Sequence, residues 1–312
     1  MRGTHLIGEF NRTPWAILPS TLEAMHMVLA RWASGERLDA EAIRAAIGDT
    51  SAQQAARRDR AGSAGGPMIG VLPVFGVIGH RANLLNDMSS GIGTSTELLG
   101  NAFRSMVNDP NVAAIVIDVD SPGGRVYSTA ELSEQIAAAR GQKRVIASVN
   151  SLAASAAYWI ASAADEVVIT PGGEAGSIGV WAAHVDASAW YAQKGVRHTL
   201  ISAGKYKVEG NSMGPLTPEA QAFMQQRVDE YYDQFVRAVA RNRRAPSLKA
   251  VREGYGEGRV LGAEAAKAVN LTDRIATFDE VIAGLQREIA DARPQPAGRR
   301  ALAQAKIALA SH

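Results

Sequence analysis

One stretch constrains this chain more than any other. Residues 113–119, Ala-Ala-Ile-Val-Ile-Asp-Val, are apolar at every position but one. A strand with one wet face alternates apolar and polar side chains. A strand with almost no polar position is covered on both faces, the habit of parallel sheets flanked by helices. Around this run strand and helix signals alternate. Further strands are predicted over residues 69–78, 144–149, 166–170, 178–185 and 198–202. Helices are predicted to open at Thr94 with Glu97, at Ser128 with Glu131, and at Thr217-Pro218. The last is the longest, with Met224, Val228, Tyr231, Phe235 and Ala238 on one stripe. The alternation predicts an α/β fold with a mainly parallel sheet and flanking helices.

Composition divides the chain into four zones. Residues 1–48 are expected to form a helical arm. In it Ser20 and Glu23 make a capping box, Leu22, Met25, Leu29 and Trp32 recur at helical spacing, and a second short helix covers 39–47. Residues 49–67, rich in Ser, Ala, Gln, Arg and Gly, read as a flexible linker, and 286–312 as a basic tail with Pro294 and Pro296. Between them, 68–285 holds the α/β domain. Lys and Arg number 33 against 31 Asp and Glu, a formal charge of +2, so there is no electrostatic footprint for nucleic acid or an anionic membrane. The absence of cysteine excludes a disulfide framework, a thiolate nucleophile and a zinc–thiolate site. No apolar run reaches the roughly 18 residues that span a bilayer. None comes after Met1-Arg2-Gly3-Thr4-His5 either, so a signal peptide is not expected and the expected location is cytoplasmic.

Several familiar sites are missing. There is no phosphate-binding Gly-x-x-x-x-Gly-Lys-Ser/Thr, no His-Glu-x-x-His and no Gly-x-Ser-x-Gly. The six histidines are scattered, and a Ser-His-Asp triad has no positive support. What remains is three turns at predicted strand ends. Asp120-Ser121-Pro122-Gly123-Gly124 combines a fixed φ with two glycines, either to bring backbone N–H groups to a ligand or simply to make a tight turn. Ser151-Leu152-Ala153-Ala154-Ser155-Ala156-Ala157-Tyr158 surrounds Ser155 with small residues, as an uncovered nucleophile or as part of an alanine-rich buried helix. Gly204-Lys205-Tyr206-Lys207 offers two lysines. Either acts as a general base only if burial lowers its pKa by roughly 3 units, and most lysines are simply exposed. On a strand the two share one face, so period-2 reasoning leaves the choice between them open.

In this order the turns, with Ala164-Asp165 and Gly176-Ser177-Ile178-Gly179-Val180, resemble the signal peptide peptidase A family of serine peptidases. That resemblance implies a Clp-protease/crotonase-like fold and a Ser-Lys dyad, with no cofactor and no metal. Ser155 falls on the family's nucleophile, Lys207 on its lysine in the register Gly-x-x-Lys, and Ser177 on the serine that orients the lysine. The oxyanion hole is expected from the Ala156 N–H with that of Gly123 or Gly124. One departure is Ala156-Ala157, where many relatives have glycines. The segment Phe10-Asn11-Arg12-Thr13-Pro14-Trp15-Ala16-Ile17 resembles the leader of phage head maturation (prohead) proteases. It implies action inside an assembling prohead on scaffold, portal or capsid proteins, as a homo-oligomer, without nucleic acid or membrane. Three alternatives stand beside this reading: a host-type soluble peptidase of the same family, a crotonase-type enzyme of acyl-CoA chemistry, and a catalytically inactive assembly or scaffold protein. Self-cleavage in 49–67 or 286–312 is a further expectation.

Overall fold

The computed structural model describes residues 13–33, 67–80 and 93–291. In chain order the elements are β1 (Trp15–Ile17), α1 (Pro19–Ala33), β2 (Met68–Phe75), β3 (Val77–Gly79), β4 (Gly93–Ser95), α2 (Thr96–Asn108), β5 (Val112–Ser121), β6 (Gly123–Arg125), α3 (Thr129–Ala138), β7 (Arg144–Ala154), α4 (Ala156–Ala161), β8 (Glu166–Ile169), β9 (Glu174–Gly176), α5 (Ser188–Gln193), α6 (Pro218–Asn242), α7 (Leu248–Gly254), β10 (Val260–Gly262), α8 (Ala263–Ala268), β11 (Arg274–Ile275) and α9 (Phe278–Asp291). A large sheet runs β10-β9-β7-β5-β2, with β8 and β11 continuing from β7. Every pairing in it is parallel except β9 with β10. A small sheet has the order β1-β6-β3-β4. The α/β architecture with a mainly parallel sheet and flanking helices is the one the sequence predicts.

The apolar run in β5 shows why. Ile115, Ile117 and Val119 point into a large core with residues of α2, α3, α4 and α6. Ala114 and Val116 point the other way, toward Phe278, Val281, Ile282 and Leu285 of α9. Both faces of the strand lie under helices, and each buried aliphatic side chain contributes about 1.5–3 kcal/mol. On the large-core side, Trp159 of α4 stacks on Phe235 of α6 at 4.5 Å with rings 4° from parallel. Arg140, just after α3, ties this layer together: its guanidinium donates to the carbonyls of Ser162, Ala163, Ala164 and Asn242.

Several local expectations are corrected. Residues 178–185 and 198–202 form no strand; the first makes a single antiparallel bridge at Trp181, and the second is exposed, with Ile201 at 93%. A strand needs an edge to pair with, and no described strand pairs with 198–202. Lys205 and Lys207 therefore lie in a turn, and the shared-face argument does not apply to them. Helix α2 is capped by Ser95, whose Oγ accepts from Leu98 N at 3.3 Å. The neighbouring Thr94 instead closes the end of β2, its hydroxyl accepting from Phe75 N and donating to Phe75 O. Ser128 precedes α3 in a left-handed conformation without a side-chain cap. Thr217 caps α6 as predicted, accepting from Ala220 N. Helix α1 begins at Pro19, a residue suited to a first helical position, so Ser20 sits inside the first turn. The predicted helix over 39–47, the linker through 66 and the tail beyond 291 lie outside the described residues.

An ion pair between buried Arg243 and partly exposed Asp273 closes the far side of the sheet. Arg243 donates to both carboxylate oxygens of Asp273, at 2.9 and 2.8 Å, and Asp273 also accepts from Val167 N at 2.7 Å. Burial alone would raise the Asp273 pKa, but the Arg243 hydrogen bonds and the Val167 N–H outweigh it and hold the carboxyl below its ordinary range. A depressed folded pKa means stability that is present above the unfolded value of about 3.9 and lost as pH falls through the folded value. Asp273→Asn is expected to cost about 1–2 kcal/mol at pH 7, discounted because the carboxylate is partly exposed. Urea midpoints of variant and wild type are expected to converge as pH falls through that depressed value.

Candidate active site

The carboxyl ends of β5, β7 and β9 meet at one place, the end of a parallel sheet where ligands of α/β folds bind. Register sets it up. Two steps along β5, from Val119 to Ser121, correspond to four along β7, from Val149 to Ala153. The surplus residues form a bulge that lifts the end of β7 and re-aims the chain beyond it. Ala154 then pairs with Gly176 of β9, and Ser155 N donates to Gly176 O at 2.8 Å. Ser155 and Ser177 therefore leave adjacent parallel strands side by side. Each does so at positive φ, 56° and 53°.

Ser155 stands at the junction of β7 and α4 with φ 56° and ψ −116°. An L-residue held there costs on the order of 1–3 kcal/mol and persists only where its surroundings impose it. A sharp strained strand-to-helix turn carrying serine is the geometry of a nucleophile elbow, here with alanines in place of the usual flanking glycines. The residue is 1% exposed, and its hydroxyl donates to Gly179 O at 3.3 Å. Next to it, the Ala156 N–H is at the first position of α4, where no intrahelical acceptor exists. Ser177 is buried and tied by its N–H to Arg259 O at 2.7 Å.

The two glycines are required for a reason the sequence did not reveal. A methyl on Gly123 would lie 2.2 Å from Ala16 O and 3.0 Å from Ala154 O; one on Gly124 would lie 2.0 Å from Ile78 O. They admit neighbouring strands of the chain itself. Gly123 N donates to Ser121 Oγ at 3.2 Å, and Ser121 Oγ donates to Gly76 O at 2.6 Å, which fixes the turn.

Of the residues expected in the site, Ser155, Ala156, Ser177 and Gly123 come together, and Gly124 lies one step further along β6. Lys207 does not join them. It lies exposed in the turn after Gly204, bordering a groove with Pro14, Ala182, Phe223 and Arg227. The expectation of a lysine buried against Ser155 does not hold within the single chain, because the segment carrying it packs on no described strand. Lys205 is exposed too, with its amine donating to Tyr206 Oη at 2.7 Å and to Glu219 Oε1 at 3.0 Å. Those two hydrogen bonds raise its pKa, the wrong direction for a base. Among the described residues no cluster of His, Cys, Asp or Glu could hold a metal ion, and no helix is long and apolar enough to cross a membrane.

Sequence reading took Trp15-Ala16-Ile17 only as part of a leader and Trp181 only as part of a strand; the structure pairs Trp15 with Trp181 beside the elbow. The available signal was Trp-Ala-Ile between Pro14 and Pro19, a short strand bracketed by two residues that end pairing.

The fold and site define a class, the α/β proteins that carry a strained serine turn at the carboxyl edge of a parallel sheet. Residues 137–291 match the model described as Peptidase family S49. It is 36% identical over 172 residues to the Head-tail preconnector protein GP5 of Enterobacteria phage P21, covering 55% of this chain and 34% of that protein. It is 31% identical over 225 residues to Capsid assembly protease C of Escherichia phage lambda, covering 72% and 50%. It is 33% identical over 187 residues to Protease 4 of Salmonella typhi, covering 56% and 28%. The chain thus spans half or less of the length of these three relatives.

Proposed function

We propose that the chain is a serine endopeptidase of capsid assembly, with Ser155 as nucleophile and Lys207 as general base. The observation that carries the reading is the strained backbone of buried Ser155 at φ 56° and ψ −116°, the kind of strain that clusters at active sites. Ser155 Oγ attacks the scissile carbonyl while the lysine takes its proton, returns it to the leaving amine, and then activates the deacylating water. Ser177, the residue leaving β9 beside the nucleophile, orients the amine. The Ala156 N–H and the N–H of Gly123, the glycine nearer Ala154, receive the oxyanion, the latter by turning from its 3.2 Å hydrogen bond to Ser121 Oγ.

A lysine becomes a base only when water is withdrawn from it, so Lys207 must act in an assembly. Val196, Leu200 and Ile201 are exposed in the irregular segment leading to it. Packing that segment on a further copy covers the apolar side chains and desolvates the amine together, which supports a homo-oligomer. Of the two lysines Lys207 is preferred, because Lys205 is held protonated by Tyr206 and Glu219. The capsid-assembly role, with scaffold, portal or capsid proteins as substrates, draws on the names of the phage relatives.

Labelling by a fluorophosphonate and cleavage of β-casein test the site. Lys207→Ala is expected to lose both and Lys205→Ala to keep both; the reverse pattern overturns the choice of base. Ile201→Glu is expected to lower assembly size in sedimentation and activity in parallel. A second reading, an inactive assembly protein on the same fold, draws on the exposure of Lys207. It is favoured if the wild-type oligomer takes no label at Ser155.

A further inference from the structure

We propose that β1 is the chain's own occupant of the slot in which a peptide substrate lies, and that it keeps the site closed until the N-terminal arm withdraws. The inference rests on the peptidase reading of Ser155 and goes beyond it by naming what fills the slot and what class of peptide the slot accepts.

Enzymes that act on extended peptides hold them as an added strand, with main-chain hydrogen bonds for grip and side-chain pockets for preference. The strand position beside Ser155 is taken by β1. It runs antiparallel to β6, with Trp15 opposite Arg125, Ala16 opposite Gly124 and Ile17 opposite Gly123. On its other side Trp15 exchanges both backbone hydrogen bonds with Trp181, N to O at 2.8 Å and O from N at 3.0 Å. The Trp181 indole N–H donates to Ile17 O at 3.0 Å, and Leu18 N donates to Pro122 O at 3.0 Å. The three residues are thus held from two sides, and all are buried.

Both walls of the slot also touch the nucleophile. Gly123 lies against Ala16 O and Ala154 O at once, so the residue gripping β1 abuts the one before Ser155. The other wall, two residues before Trp181, supplies Gly179 O, which accepts the Ser155 hydroxyl. A peptide entering beside Ser155 meets the same groups that now hold β1, and the two exclude each other.

The occupant also describes the ligand. Ala16 is fully buried, with its carbonyl pressed on Gly123, so the centre of the slot takes a small residue. Trp15 lies under the Arg125 guanidinium at 5.4 Å, a place for a large aromatic or aliphatic side chain. The accepted class is an extended apolar segment with a small residue at its centre.

The test locks the strand. Trp15 has its main-chain hydrogen bonds on the Trp181 side, so Trp15 and Arg125 form a non-hydrogen-bonded pair, whose short Cα separation suits a cross-strand disulfide. The chain has no cysteine to compete. In the full-length Trp15→Cys/Arg125→Cys variant, a fluorescein-labelled peptide of residues 12–19 is titrated by anisotropy, with β-casein cleavage measured in parallel. The reduced form, its tryptophan anchor gone, is expected to bind the peptide at least ten-fold more tightly than the oxidised form, reversibly. Equal affinity in both forms, or no binding in the reduced form, overturns the proposal. Peptide binding that switches while casein stays intact in both forms supports the slot and removes the peptidase reading. Casein cleaved equally by both forms overturns the slot and keeps the peptidase. Should the double variant not fold, Ala16→Asp is titrated instead; it is expected to bind the peptide at least ten-fold more tightly than wild type, and equal affinity overturns the proposal.

Discussion

Ser155→Ala is expected to lower peptide hydrolysis by about 10⁴-fold or more, because removing the nucleophile of a catalytic unit costs nearly as much as removing the whole unit. The fold is expected to survive, since alanine keeps the Cβ and gives up only a 3.3 Å hydrogen bond to Gly179 O. Ser155→Gly separates chemistry from strain. It is equally inactive, but glycine occupies φ 56° without steric penalty, so it is expected to be more stable than Ser155→Ala by about 1–2 kcal/mol in urea denaturation. Equal stability of the two variants would show that the elbow stores no strain. Full activity in Ser155→Ala would remove the nucleophile.

Gly124→Ala is expected to be among the most damaging single-methyl changes in the small sheet. The added carbon would lie 2.0 Å from Ile78 O and 2.6 Å from Ile78 C and N, all of them backbone. No rotamer relieves a clash with main chain, so β3 must separate from β6. A loss of about 3–5 kcal/mol is expected, enough to leave much of the protein unfolded at 37 °C. Gly172→Ala, where a methyl meets nothing within 4 Å, is the matched control and is expected to stay within about 0.5 kcal/mol of wild type. Thermal melts of the pair decide the matter.

How much the sequence disclosed depends on which contacts are local. Residues 113–119 announce a doubly covered strand, because burial on two faces leaves its mark on every side chain of the run. Thr217 and Pro218 announce the start of α6, because capping involves neighbours within three residues. The glycines of β6 were legible as a tight turn, yet not as the seat of β1, because Ala16 lies more than a hundred residues away and meets Gly123 through main chain that any sequence could supply. Residues 178–185 misled for a related reason. Their apolar character serves a single bridge to Trp15 and the wall beside the elbow, and periodicity cannot tell that from a sheet strand. The exposure of Lys207 was not legible either, because it lies in an irregular turn, and such a turn leaves no periodic trace in the sequence.

Arg140 gathers carbonyl oxygens from the turn ending α4 and from the last residue of α6 on one guanidinium. A helix of only six residues is a light lever, and one pinned at its tail cannot swing when its head is loaded. Under the proposed mechanism, motion imposed on Ser155 by an acyl group is expected to be confined to the first peptide unit of α4. The protein holds Ser155 against a stop rather than on a spring.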